Sequence, residues 1–314
     1  MDVVTFGETM ILLTPDSRIR YANSFTKKIG GAESNVAIGL ARLNHKVGWF
    51  SRLGDEELGK SIISFIRGEG VDVSRVTFDN NAQTAIYFKE LRGPSHVRVQ
   101  YYRQGSAASM MTKEDLDESY ISKAKYLHLT GITPALSDDC YKMTLEAISI
   151  ARKHGLKIVF DPNIRKQLWS KEKAKEILLE IALQADYFLP GISEGEFLTG
   201  ESDPTKIYDF FNSKGVENVI IKAGAKGAYY GTNSIFEHVE GFYVEHVVDP
   251  VGAGDGFAAG FISGLIESLP LNEAVRRGNA VGALVTMVNG DVEGLPEREE
   301  LDTFMANLTE DVIR

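Results

Sequence analysis

Apolar residues along this chain fall into two patterns that alternate for most of its length. Short extended runs read as buried strands: Val3-Val4-Thr5-Phe6-Gly7, Val47-Gly48-Trp49-Phe50-Ser51, Tyr126-Leu127-His128-Leu129-Thr130, Lys157-Ile158-Val159-Phe160-Asp161-Pro162-Asn163 and Asn218-Val219-Ile220-Ile221-Lys222. Between them the apolar positions recur at helical spacing, predicting helices over Val36 to Leu43, Leu58 to Ile66, Ser137 to His154 and Lys171 to Leu183, with another near Glu194 after Tyr187-Phe188-Leu189-Pro190. Val239 to Val248 reads as extended, and helices follow over Asp255 to Glu267 and Leu271 to Val288. Such alternation implies an α/β fold, a parallel sheet with helices on both faces, whose ligands lie at the carboxyl ends of the strands. Asp161, Asn163, Arg165, Lys222, Gly224 and Asp255 all fall at such ends, which points to one composite site.

The rhythm breaks once. Thr84-Ala85-Ile86-Tyr87-Phe88-Lys89-Glu90-Leu91 and Val97-Arg98-Val99-Gln100-Tyr101-Tyr102-Arg103 are β-rich runs with no helix between them, and Gly93-Pro94-Ser95 predicts a hairpin turn. With the early extended run from Met10 they predict a small sheet built from about 10–30 and 82–105, projecting from the main body.

Val247-Val248-Asp249-Pro250-Val251-Gly252-Ala253-Gly254-Asp255-Gly256-Phe257 reads as strand, glycine turn and helix start. Backbone N–H groups left free at such a helix N-terminus form a site for an anion such as phosphate. A carboxylate beside that anion is poorly placed electrostatically unless it has work to do, so Asp255 is the candidate base. In the helix that follows, Gly256, Gly260 and Gly264 recur every four residues at a cost of roughly 1 kcal/mol each against Ala, which predicts a face packed closely on a neighbour. A second glycine pair, Gly30-Gly31, opens the helix carrying Asn35; on spacing alone it is either a close approach to ligand or a tight turn.

Gly54-Asp55-Glu56-Glu57-Leu58-Gly59-Lys60-Ser61 matches the phosphate-loop pattern G-x-x-x-x-G-K-[ST], with Lys60 as its lysine. Its consecutive acids stand where amides would have to wrap phosphate, so the better reading is a helix N-terminus whose acids suit the macrodipole.

Composition narrows the function classes. The 314 residues are 43% hydrophobic and 25% charged, ordinary for a soluble protein and enough for one large α/β unit with an appendage. No apolar run approaches the length of a membrane span, and Met1-Asp2-Val3-Val4 shows no export pattern, so no membrane partner and a cytoplasmic location are expected. A net charge of −10 argues against nucleic acid as a partner. The single cysteine, Cys140, excludes an internal disulfide or a cysteine metal cluster, and the histidines lack metal-ligand spacing.

The order of Gly30-Gly31 and Asn35, Arg52-Leu53-Gly54-Asp55, the projecting strands, Asp161-Pro162-Asn163, Gly224-Ala225-Lys226-Gly227 and Gly252-Ala253-Gly254-Asp255 resembles the ribokinase-like (PfkB) carbohydrate kinases over nearly the whole chain. The resemblance implies a three-layer αβα sandwich with a mostly parallel sheet and a small β lid, a single domain over 1–314. Within the family, Gly30-Gly31-Ala32-Glu33-Ser34-Asn35, Tyr101-Tyr102-Arg103 and Asp161-Pro162-Asn163-Ile164-Arg165 are similar to 2-keto-3-deoxygluconate kinases, implying ATP-dependent phosphorylation of a keto-deoxy sugar acid at its terminal hydroxyl. Asp255 would be the base, the amides of Gly252, Ala253, Gly254 and Asp255 the anion hole, and Arg165 a contact to both substrate and phosphate. Gly30, Gly31, Asn35, Tyr87, Tyr102, Arg103 and Asp291 would bind the sugar acid. An acidic sugar also calls for guanidinium partners on chemical grounds. Asn163, Ser193, Lys222, Gly224, Ala225, Lys226, Gly227 and Asn279 would bind ATP. Mg²⁺ is implied with the nucleotide.

Two departures stand out. The family's N-x-x-E motif is read at Ser193-Glu194-Gly195-Glu196, leaving Glu196 an indirect metal role, and Pro250 follows Asp249 where Thr is usual, so no potassium site is assigned. The uncovered edges of the lid strands predict a homo-oligomer joined through them. The alternatives left open are a kinase for a neutral sugar such as fructose or ribose, a non-catalytic sugar or nucleotide sensor, and a phosphate-loop NTPase using Lys60.

Overall fold

The computed structural model describes residues 1–91, 97–233 and 235–310. In chain order its strands are β1 (Val3–Phe6), β2 (Met10–Pro15), β3 (Phe25–Gly30), β4 (Val47–Phe50), β5 (Arg52–Gly54), β6 (Thr77–Asp79), β7 (Ile86–Leu91), β8 (Val97–Tyr102), β9 (Tyr126–Thr130), β10 (Lys157–Asp161), β11 (Tyr187–Phe188), β12 (Asn218–Lys222), β13 (Ala228–Thr232) and β14 (Ile235–Val239). Eight of these form the main sheet in the order β14-β13-β12-β11-β10-β9-β1-β4. Pairing is parallel from β4 through β12 and antiparallel at β12–β13 and β13–β14. That antiparallel edge departs from a simple alternation of strands and helices. The connection from β12 to β13 is a single 3₁₀ turn at Gly224–Lys226, too short for a crossover helix, so the chain must fold straight back.

Strand alternation splits the core into two layers. Val159 and Ile220 point to one face, where they join Val36, Leu40, Phe257 and Phe261 from the helices Ala32–Arg42 and Ala253–Ile266. Ile158, Phe160, Val219 and Ile221 point to the other, against Met143, Ile177 and Phe211 from Asp138–Lys153, Lys171–Ala182 and Pro204–Asn212. Helices on both faces of one sheet make the three-layer αβα sandwich.

The glycine ladder finds its partner in the helix Leu271–Val285. A Cβ on Gly256 would lie 2.8 Å from Val285 Cγ2, one on Gly260 2.7 Å from the Arg277 carbonyl, and one on Gly264 2.7 Å from Ala274 Cα. No side chain fits there.

The second sheet, β3-β2-β7-β8, joins the two predicted segments, with β2 and β7 parallel between antiparallel neighbours. The expected turn at Gly93-Pro94-Ser95 lies outside the described residues. One other expectation needs correction. The extended stretch ends with β14 at Val239, and 240–248 form no strand, so the glycine turn is entered from irregular backbone with Val247 and Val248 exposed. Gly54–Ser61 forms a helix N-terminus and not a phosphate cradle, as its acids lead one to expect: the Glu56 carboxylate accepts the Gly59 amide at 3.0 Å, and exposed Lys60 pairs with Asp55 at 3.5 Å. Among the described residues no helix is long and apolar enough to cross a membrane.

Candidate active site

One cleft of about 1870 Å³ runs along the carboxyl edge of the main sheet beneath the four-stranded sheet. Of the residues singled out in the sequence, Gly30, Gly31, Asn35, Tyr87, Tyr102, Arg103, Asn163, Arg165, Lys222, Gly252, Gly254, Asp255 and Asp291 line it.

Gly252 turns the chain into the helix Ala253–Ile266 with φ of 87°, a left-handed conformation that favours glycine. The first-turn amides have no partner within the helix. The Ala253 amide reaches the Pro250 carbonyl at 3.4 Å, leaving those of Gly254 and Asp255 for an anion. Lys222 Nζ lies 3.8 Å from where a Gly254 Cβ would stand, so a full positive charge flanks these amides. Burial pulls the Lys222 ammonium down, but Asp161, Glu194 and Asp255 outweigh it and hold the pKa above its ordinary value. Asp161 Oδ2 accepts from it at 2.5 Å.

Asp255 is 8% exposed, and each carboxylate oxygen has a defined donor. Asn35 Nδ2 donates to Oδ2 at 2.8 Å and Asn163 Nδ2 to Oδ1 at 3.2 Å. Asn163 itself sits at φ 37°, a conformation Asn tolerates better than most residues, with its amide on Asp161 Oδ1 at 3.2 Å. Burial pushes the Asp255 carboxyl up to about 7; the Asn35 bond and Arg165 oppose the rise, while Asp161 and Asp291 add to it. A carboxyl with that value is suited to take a proton near neutrality. Arg165 makes no ion pair among the described residues.

The sugar side holds three features not singled out in the sequence. Tyr87 donates to Asp291 Oδ2 at 2.7 Å, and Lys89, two residues on and on the same strand face, reaches Asp291 Oδ1 at 3.0 Å. Arg103 is committed, with Nη2 2.6 Å from the Oε2 of buried Glu8, whose other oxygen accepts from Ser106 Oγ. Tyr101 is the third: it lies opposite Tyr87 in register and stacks on it at 5.5 Å, whereas Tyr102 is 55% exposed with its ring edge-on to Phe88. The alternation along β8 thus gives the inner face to Tyr101 and leaves Tyr102 at the rim.

Glu196 is exposed and does not line the cleft; Glu194 does. The Glu194 carboxylate accepts the Ile164 amide at 2.9 Å and the Gly191 amide at 2.8 Å, so the motif spacing falls on Gly191-Ile192-Ser193-Glu194. Among the described residues no group of three or more His, Cys, Asp or Glu gathers to hold a metal. That donor set fits Mg²⁺ carried on nucleotide phosphates, with Glu194 as a nearby acidic partner, and not a cage made by the protein.

The remaining nucleotide candidates stand beside the cleft. Ser193, Gly224, Ala225 and Lys226 are exposed, and Gly227 packs against the backbone of Val239 and Glu240. Asn279 Nδ2 donates to the carbonyls of Val239 and Glu240, both at 3.1 Å, fastening the segment that leads to the glycine turn.

A buried carboxylate at a helix N-terminus, a glycine turn flanked by lysine and a polar pocket roofed by a small sheet make an arrangement suited to phosphoryl transfer onto a hydroxyl compound. The chain belongs to the pfkB family of carbohydrate kinases, whose family model matches residues 1–298. It is 43% identical over 311 residues to a 2-dehydro-3-deoxygluconokinase of Bacillus subtilis (strain 168), spanning 98% of this chain and 96% of the relative. Identity is 35% to the enzyme of that name from Thermoproteus tenax (98% and 95% covered) and 31% to probable fructokinase-7 of Arabidopsis thaliana (97% and 92%). Among solved structures, the 2-dehydro-3-deoxygluconokinase of Thermotoga maritima matches with a TM-score of 0.90 at 28% identity, covering 98% of each chain. A putative ribokinase II from E. coli in complex with ATP and Mg²⁺ matches with a TM-score of 0.91 at 25% identity, covering 98% and 99%.

Proposed function

We propose that this carbohydrate kinase transfers the γ-phosphoryl group of ATP to the terminal hydroxyl of 2-keto-3-deoxygluconate. The observation that carries the reading is Asp255: buried, gripped by Asn35 and Asn163, its carboxyl pushed up to about 7 by burial, and in the first helical turn beside the free amides. Asp255 accepts the hydroxyl proton as the sugar oxygen attacks phosphorus. The amides of Gly254 and Asp255, with Lys222, meet the charge that develops on the transferred group, and positioning and electrostatics supply most of the rate. A bound Mg²⁺ would neutralise phosphate charge. Glu194 would face it, held in orientation by two backbone amides.

Arg165 supplies the uncommitted guanidinium for the sugar carboxylate. A neutral sugar remains the second reading on one observation: Arg103, the other candidate for that carboxylate, already pairs with Glu8. An ADP-release assay over 2-keto-3-deoxygluconate, fructose and ribose decides between them, with kcat/KM expected to be highest for the acid. Asp255→Asn should fold and lose roughly 10²- to 10⁴-fold in kcat, the usual worth of a positioned base. Near-normal turnover in that variant, or a wild type that binds ATP and sugar without releasing ADP, defeats the reading.

A further inference from the structure

We infer that Lys89 is a positioning residue for phosphoryl transfer: its ammonium, brought in on the roofing sheet, bridges Asp249 and Asp291 and so holds the anion-binding turn against the sugar pocket. The inference rests on the phosphoryl-transfer part of the proposal above and not on which sugar is used.

A lysine is almost never fully buried unless paired, and the Lys89 side chain is 2% exposed. Its Nζ lies 2.5 Å from Asp249 Oδ2 and 3.0 Å from Asp291 Oδ1. Each carboxylate is itself a joint. Asp249, whose side chain is fully buried, accepts the Val251 amide at 3.1 Å and the Gly290 amide at 3.3 Å, tying the approach to Gly252 to the 289–291 segment. Asp291 accepts the Tyr87 hydroxyl, and its backbone carbonyl lies 2.8 Å from where a Gly252 Cβ would stand. One ammonium therefore connects the backbone just before the anion turn to the residue that holds a pocket tyrosine. Lys28, on β3 of the same sheet, donates to the Asn289 carbonyl at 2.6 Å, so two strands of the roof grip that segment.

Charge gives the arrangement a second consequence. Without Lys89, two buried carboxylates would stand beside amides that must meet the charge developing on the transferred phosphoryl group, and like charges at that range oppose it. With it, one of those charges is cancelled and the other is shared with the Tyr87 hydroxyl. Burial works against the ammonium, but its two carboxylates prevail and keep it charged.

The test compares Lys89→Ala and Lys89→Met with wild type in the ADP-release assay, each checked for folding by circular dichroism. Misplacing the turn by about 1 Å should lower kcat roughly 10²-fold in both. The KM values for ATP and sugar should move by less than about threefold, the signature of a contribution made in the transition state. Ammonium or methylammonium ions, supplied in the buffer, should enter the cavity left by Lys89→Ala and restore about tenfold of kcat, while leaving Lys89→Met and wild type unchanged. Lys89→Met keeps the volume, so it covers the case in which the alanine variant fails to fold. A folded Lys89→Met with wild-type kcat overturns the inference, as does a defect confined to the sugar KM or an alanine variant indifferent to added cations. A wild type that phosphorylates no sugar defeats the proposed function together with this inference; an active wild type with indifferent variants defeats this inference alone.

Discussion

In the proposed transfer, the Asp255 carboxyl, pushed up to about 7 by burial, should set the pH dependence of the reaction. Asp255 acts as a base only when ionised, so log kcat/KM should rise with unit slope below about pH 7 and level off above it, reporting the free enzyme. Arg165 lowers this pKa, so Arg165→Met should move the break to higher pH. A profile flat across the neutral range would remove Asp255 from the proton transfer. Asp255 was legible in the sequence because a carboxylate after a glycine turn has few structural uses. Glu8 and Lys89 were not, because what makes them special lies far along the chain: Lys89 and Asp291 are 202 positions apart. A local signal existed only for Lys89 and Tyr101. Both share the inner face of the roof with Tyr87, one by a spacing of two along β7 and the other by direct register.

At the scale of elements, the helix Ala253–Ile266 that begins at the anion turn packs closely on Leu271–Val285 along its glycine face. Gly260→Ala gains about 1 kcal/mol of helix propensity but forces a methyl onto the Arg277 carbonyl, and overpacking of this kind costs roughly 1–3 kcal/mol. Its urea midpoint should fall, whereas Gly68→Ala, with nothing within 4 Å of the new methyl, should raise it. A Gly260→Ala protein as stable as wild type would show that the two helices slide freely. The glycine spacing announced this contact in advance. The antiparallel edge was hidden because Gly224–Gly227 has the composition of a strand-to-helix loop, and only its three-dimensional course shows the chain doubling back. The helix Pro204–Asn212 was overlooked despite a legible start, since Asp203 caps it and proline stands at its first position.

For the molecule as a whole, the striped order of strands and helices was enough to place ligands at one sheet edge, and the structure gathers most of the candidates there. The nucleotide candidates were less legible, because Asn279 and Gly227 contact the backbone of 239–241 and do not line the cleft. The net charge of −10 is offset in the cleft by Lys222, Arg165, Arg103 and Lys89, three of which are paired there with Asp161, Glu8 and Asp291.

The segment that follows β10 carries Asn163 and Arg165 and ends in Trp169, half-buried and packed with Ile164 on the edge of the core. Its Leu168 amide bonds the Arg165 carbonyl at 3.0 Å, so backbone joins the guanidinium to the indole. The other tryptophan of the chain, Trp49, is fully buried in the core. The protein thus has a built-in optical reporter: ligand that grips Arg165 should alter the emission of Trp169 over the constant signal of Trp49. Titrating ATP and sugar acid should change the intrinsic fluorescence of Trp49→Phe and leave that of Trp169→Phe unmoved; the opposite result would place the ligand-induced movement in the core.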